Sequence, residues 1–115
     1  GLVYNLGTNI KNNKPIFLNG KKNGDLLYLT HVEDCAKCIK FFIDEKVQGT
    51  YDVAPKRRIS LRSVGKILSD IYKKKLIVIQ KPNLQTKVHK PNLKKLKSVY
   101  DLDNFKNPNV GLKLI

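Results

Sequence analysis

The sequence predicts a mixed α/β fold, and three observations predict it. Short apolar runs rich in β-branched and aromatic residues alternate with segments whose apolar residues recur at helical spacing. Polar, glycine-bearing turns separate the two kinds of segment. Hydrophobic residues make up 41% of the chain, too many for a disordered segment.

At the start, Leu2, Val3, Leu6 and Ile10 stand at near-helical spacing, so a helix is expected until the asparagines after Ile10, with Gly7 weakening it. Residues 15–18 (P-I-F-L) read as a strand, and residues 19–24 as a polar turn holding Gly20 and Gly24. Residues 26–32 (L-L-Y-L-T-H-V) have the composition of a well-buried strand. Asp34 then stands where an N-cap belongs, ahead of a helix over residues 35–44. Its apolar face would be Cys35, Cys38, Ile39 and Phe42, with Lys37, Lys40 and Asp44 turned away.

Residues 50–54 (T-Y-D-V-A) form the next expected strand, and residues 55–58 a charged loop. Ser60 is a second expected N-cap. Behind it Leu61, Val64, Leu68 and Ile71 make an apolar stripe, opposite Arg62, Lys66, Asp70 and Lys73. Lys73, Lys74 and Lys75 fall at the carboxyl end of that helix, where cations are favoured by its dipole. Residues 76–79 (L-I-V-I) read as a strand, and residues 81–91 as a proline-bracketed loop containing His89. Leu93, Leu96 and Val99 suggest a short helix, and Asp101-Leu102-Asp103 a last turn before Pro108. With 115 residues, no internal repeat and no linker, residues 1–115 are expected to form a single small domain or part of one.

The formal charge is +14, from 23 basic and 9 acidic residues. Such an excess suits a polyanion partner. Yet every basic residue except Arg57, Arg58 and Arg62 is lysine, and asparagine and isoleucine are plentiful, as an AT-rich genome would produce without selection for binding. Nucleic acid is therefore the disfavoured partner, and neither a helix-turn-helix nor an RNA-recognition signature is present. Cys35 and Cys38 form C-A-K-C, read as small hydrophobes of a helix face rather than a redox pair. One such pair without a second Cys or His pair is no zinc site, and His31 and His89 stand far apart, so no metal ligands are assigned. No G-x-G-x-x-G turn, phosphate-binding P-loop or G-x-S-x-G elbow occurs. No apolar run approaches the ~20 residues that span a bilayer, and no signal segment precedes the first helix. A cytoplasmic chain without membrane contact is expected. It starts at Gly1 and holds no Met, which fits a piece of something longer.

Three stretches, in order, resemble the extended short-chain dehydrogenase/reductase family, the NAD-dependent epimerase/dehydratase type. Pro15-Ile16-Phe17-Leu18-Asn19-Gly20, followed by Leu29-Thr30-His31-Val32-Glu33-Asp34-Cys35-Ala36, is similar to that family's strand and its H/Y-V-D-D-V-A region. Gly49-Thr50-Tyr51-Asp52-Val53-Ala54, then Ile59-Ser60-Leu61, resembles its G-x-Y-N-V-G and following S. Tyr100-Asp101-Leu102-Asp103-Asn104-Phe105, ending in Val110-Gly111-Leu112, resembles its terminal stretch. The resemblance implies the C-terminal, substrate-binding portion of a Rossmann-type fold without the N-terminal dinucleotide-binding half. It also implies a nucleotide-sugar substrate, with NAD or NADP bound by protein outside this chain.

Phe17 and Asn19 would border the base and Lys90 a phosphate, as substrate-binding residues. No catalytic or cofactor-binding residue can be assigned. The family's Tyr-x-x-x-Lys pair is absent, since Thr8, Val32, Pro55, Leu76 and Asn104 follow the tyrosines at that spacing. Leu27 and Tyr28 stand where sugar-nucleotide members carry Arg-Asp, and Lys90 offers a point charge in place of a bidentate arginine fork. Held apart from a Rossmann portion, such a chain would expose apolar surface and self-associate. The competing readings are a small basic nucleic-acid-binding module and a non-catalytic scaffold remnant of the same fold.

Overall fold

The structure is a computed structural model, and it describes residues 1–81 and 90–114. Its architecture is mixed α/β, with two small sheets and helices packed against them. The helix α1 (Leu2–Lys11) leads into β1 (Ile16–Asn19) and β2 (Leu26–Leu27). Next come α2 (Val32–Asp44), β3 (Ile59–Ser60), α3 (Leu61–Tyr72) and β4 (Val78–Lys81). The described chain ends with α4 (Leu93–Lys97), a 3-10 turn (Leu102–Asn104) and α5 (Pro108–Leu112).

One core gathers around α3, which forms as its sequence indicates. Ser60 caps it, its Oγ accepting from the Ser63 N–H at 3.1 Å. Leu61, Val64 and Leu68 are buried against Leu6 and Ile10 of α1, Ile16 and Leu18 of β1, and Leu112 of α5. Gly65 lets the strand come close, since a Cβ there would stand 2.6 Å from Ile16 Cδ1. β1 runs parallel to β4, pairing Ile16 with Val78 and Asn19 with Lys81. The short β2 is antiparallel to β3. The turn between β1 and β2 closes through Gly24 at φ +73°, a backbone conformation that favours glycine.

A second cluster is aromatic. Cys38 and Leu96 are fully buried there with Tyr100, Leu102 and Phe105, and Phe41, Phe42 and Tyr51 pack at its margin. The rings meet edge to face, with centroids 5.2 Å apart for Phe41–Tyr100 and 5.0 Å for Phe42–Tyr51. Burial pushes the Cys38 thiol up, and neighbouring Cys35 adds to it. That is the behaviour of a packed hydrophobe, not of a nucleophile.

Several expectations are corrected. Only Leu26 and Leu27 of the expected 26–32 strand are paired, and residues 28–31 carry no ladder among the described residues. Residues 50–54 carry none either; Thr30 Oγ1 donates to the Val53 carbonyl at 3.4 Å and joins the two segments. Both have strand composition, but a strand also requires a hydrogen-bonded neighbour.

α2 begins at Val32, before the expected Cys35, and its cap is His31, whose Nδ1 accepts from the Glu33 N–H at 3.2 Å. Asp34 is not the cap. It lies inside the first turn, 2% exposed, and accepts from the Lys106 N–H at 2.7 Å and Nζ at 3.0 Å. A charge-assisted tertiary bond has displaced the local one. Ile39 leaves the expected buried face of α2 and is 52% exposed. The expected 76–79 strand shifts to Val78–Lys81; the turn expected at Asp101-Leu102-Asp103 forms as the 3-10 turn, and α5 follows it where no element was expected. The expected loop over residues 81–91 and His89 lie largely or wholly outside the described residues.

Candidate functional site

The parallel pair β1–β4 buries one face and leaves the other open. Ile16 and Leu18 point into the core, so the alternation of a strand turns Phe17 and Asn19 outward. Phe17 is 43% exposed and lies in register with Ile79, itself 42% exposed. Asn19 lies opposite Lys81. Lys81 Nζ sits 4.3 Å from the centroid of the Phe17 ring, over its face. The open face thus carries a flat aromatic and aliphatic surface with an amide and an ammonium at one end. Such a surface can take a planar ring and hydrogen-bond its edge.

Gln80 fixes the end of this face. Its amide nitrogen donates to the Leu18 carbonyl at 3.2 Å and to the Lys21 carbonyl at 2.9 Å. The turn after β1 is therefore tied to β4 by a side chain as well as by the ladder. Lys81 was placed in a loop by the sequence. Continuing the strand alternation from Val78 as far as Pro82 would have located it.

Lys90 stands elsewhere. It is exposed and adjoins Pro91, which lines a cavity of 310 Å³ with Leu27, Tyr28, Asp52, Val53 and Ala54. The neighbouring Asn92 N–H donates to Asp52 Oδ2 at 2.9 Å and fixes the chain there. The structure thus brings Phe17 and Asn19 together on one strand. Among the described residues, no bond joins Lys90 to either.

Two further features escaped the sequence reading. Lys106 reaches Asp34 at 3.0 Å and Glu33 at 3.3 Å, tying the start of α2 to the chain before α5. The bond from Asp34 holds the Lys106 ammonium above its ordinary range, and Glu33 adds to that. The second feature is the outer face of α2. Val32, Ile39 and Ile43 recur along it at helical spacing and are 76%, 52% and 70% exposed. Among the described residues no group of three or more His, Cys, Asp and Glu could hold a metal ion, and no helix is long and apolar enough to cross a membrane.

The fold places the chain in a class. It is a mixed α/β body that matches one portion of a Rossmann-type nucleotide-sugar epimerase fold. One solved structure it resembles is UDP-glucose 4-epimerase from Thermus thermophilus, in complex with NAD. The TM-score is 0.68 at 16% identity, covering 98% of this chain and 38% of that one. Another is UDP-N-acetylglucosamine 4-epimerase from Bacillus cereus, with a TM-score of 0.62 at 15% identity, covering 99% of this chain and 39% of that one. The chain therefore spans well under half the length of these neighbours. No protein-family model matches the sequence, and no curated protein does.

Proposed function

We propose that this chain is the nucleotide-sugar-binding portion of an NAD(P)-dependent epimerase, dehydratase or reductase. In this reading the open face of β1–β4 receives the base, with Phe17 beneath it and Asn19 at its edge, and Lys81 joins them there. Lys90 meets a phosphate from the side of the cavity near Pro91. The dinucleotide and the reacting groups belong to protein outside this chain, since no residue here is assigned to hydride transfer. That protein would cover the outer face of α2. It would also offer strand partners to residues 28–31 and 50–54, whose composition is that of strands without a ladder.

The single observation that carries the proposal is the extent of the likeness: 98% of this chain follows 38% of a UDP-glucose 4-epimerase. In this reading the glycine-rich dinucleotide turn that the sequence lacks belongs to the part of the fold this chain does not cover. The test is a titration of the chain with UDP-glucose and with NAD, followed by amide chemical shifts. UDP-glucose at about 1–10 mM should move the signals of Phe17, Asn19 and Lys90, as a weak half-site would. NAD should move none of them. Equal shifts in the Phe17→Ser variant, or no response to UDP-glucose, would overturn the assignment.

A further inference from the structure

A charged trough lies on the far side of the aromatic cluster and shares no residue with the β1–β4 face. It consists of two adjoining hollows, of 820 and 290 Å³, that have Lys56, Leu102 and Asp103 in common. Its rim carries Lys94 and Lys97 of α4 at one end and Arg57 beside Lys56 in the middle. Lys106 closes the other end, already engaged by Asp34 and Glu33. The larger hollow has an apolar floor of Leu93, Val99 and Leu102, while the smaller is lined mostly by polar side chains.

The two carboxylates in the trough do not balance its cations. Asp101 Oδ1 is occupied by the Asp103 N–H at 2.9 Å. Asp103 is ion-paired with Lys56. That bond, with the fields of Lys56, Arg57 and Lys97, holds the Asp103 carboxyl below the usual carboxylate range. Lys56 alone contacts the carboxylate, and Arg57 and Lys97 act on it at longer range. Among the described residues no ion pair engages Arg57, Lys94 or Lys97, so the rim keeps an excess of positive charge.

The geometry points to a docking site for an extended acidic peptide, one whose carboxylates alternate with apolar side chains. Charge complementarity selects an anion, and two adjoining hollows that share Lys56, Leu102 and Asp103 suit a chain rather than a single small ion. The floor separates the two polymers that could supply such charge. Single-stranded nucleic acid binds through bases stacked on exposed aromatic rings. The rings nearest this floor, Tyr100 and Phe105, are only 8% and 9% exposed and are engaged edge to face in the core. Alternate apolar side chains of a peptide would instead meet Leu93, Val99 and Leu102, while its carboxylates reach the cationic rim.

The test is fluorescence anisotropy of a labelled eight-residue peptide of alternating Glu and Val, titrated with the chain at low and moderate salt. Binding is expected, weakening as salt rises. The triple variant Arg57→Gln/Lys94→Gln/Lys97→Gln should bind about tenfold more weakly. The variant Lys73→Gln/Lys74→Gln/Lys75→Gln removes as much charge from the end of α3 and should change affinity by less than about twofold. A peptide with Ser for Val should also bind more weakly, because the floor goes unused. These side chains are on the surface, so both variants keep the core. Equal losses in the two variants would reduce the effect to net charge and overturn the site. No binding of the peptide at low salt, or tighter binding of a thymidine oligonucleotide than of the peptide, would overturn it as well.

Discussion

α2 and α3 are both amphipathic, yet they meet different fates. The apolar stripe of α3 is sealed over most of its length: Leu61, Val64 and Leu68 are buried between α1, β1 and α5, and only Ile71, the last of the expected stripe, is exposed at 38%. α2 buries one side, where Cys38 enters the aromatic cluster, and leaves Val32, Ile39 and Ile43 uncovered on the other. A helix that is apolar on both sides is usually enclosed on both. The contrast teaches that the chain closes its own core around α3 but leaves one side of α2 uncovered, as the proposed covering protein would require. The segments flanking α2 repeat the lesson, since residues 28–31 and 50–54 have strand composition and, among the described residues, no ladder.

The sharpest way to break this comparison is to truncate the same kind of side chain on both helices. Leu68→Ala removes a residue 1% exposed and should cost about 2–5 kcal/mol in urea unfolding. Ile43→Ala, on the open side of α2, should cost less than about 0.5 kcal/mol. Similar losses would mean that the outer face of α2 is packed.

Next in size is the tie that orients α2. Asp34→Ala should cost about 1–3 kcal/mol, because the Lys106 N–H and Nζ lose a buried acceptor. Ser60→Ala should cost about 1 kcal/mol by freeing the Ser63 N–H at the start of α3. Both are readable as shifts of the unfolding midpoint at constant slope.

A smaller effect should follow pH. Lys106 is held above its ordinary range in the folded chain, chiefly by Asp34. Its contribution is therefore complete below the ordinary lysine value of about 10.4 and is lost only as pH rises through the higher folded value. Thermal melts on the alkaline side should show this loss, and Lys106→Met should reduce that dependence, leaving the share of the Cys38 thiol and the Tyr100 hydroxyl, both pushed up by burial. A loss confined to neutral pH would contradict the assignment.

The sequence displayed the closed region better than the open one. Ser60 and the stripe from Leu61 to Leu68 announce α3, because a local cap and a helical period are properties of neighbouring residues. Phe17 falls within the apolar run 15–18 that reads as a strand, whereas Asn19, expected to open the turn, closes β1 instead. What escaped was non-local. Asp34 has the form of a cap, and only the arrival of Lys106 from far along the chain shows where its carboxylate goes. Lys81 gains meaning only when β4 is laid beside β1. The strand-like composition of residues 26–32 records a preference that Leu26 and Leu27 alone satisfy with a partner.

The central claim is that the outer face of α2 is a covering surface left open by this chain. Light scattering over a range of concentrations tests it most directly, comparing the chain with its Ile39→Ser/Ile43→Ser variant. The account predicts that the chain self-associates as concentration rises and that the variant stays monomeric with unchanged unfolding. A chain that remains monomeric at every concentration, or a variant that associates equally, would contradict it.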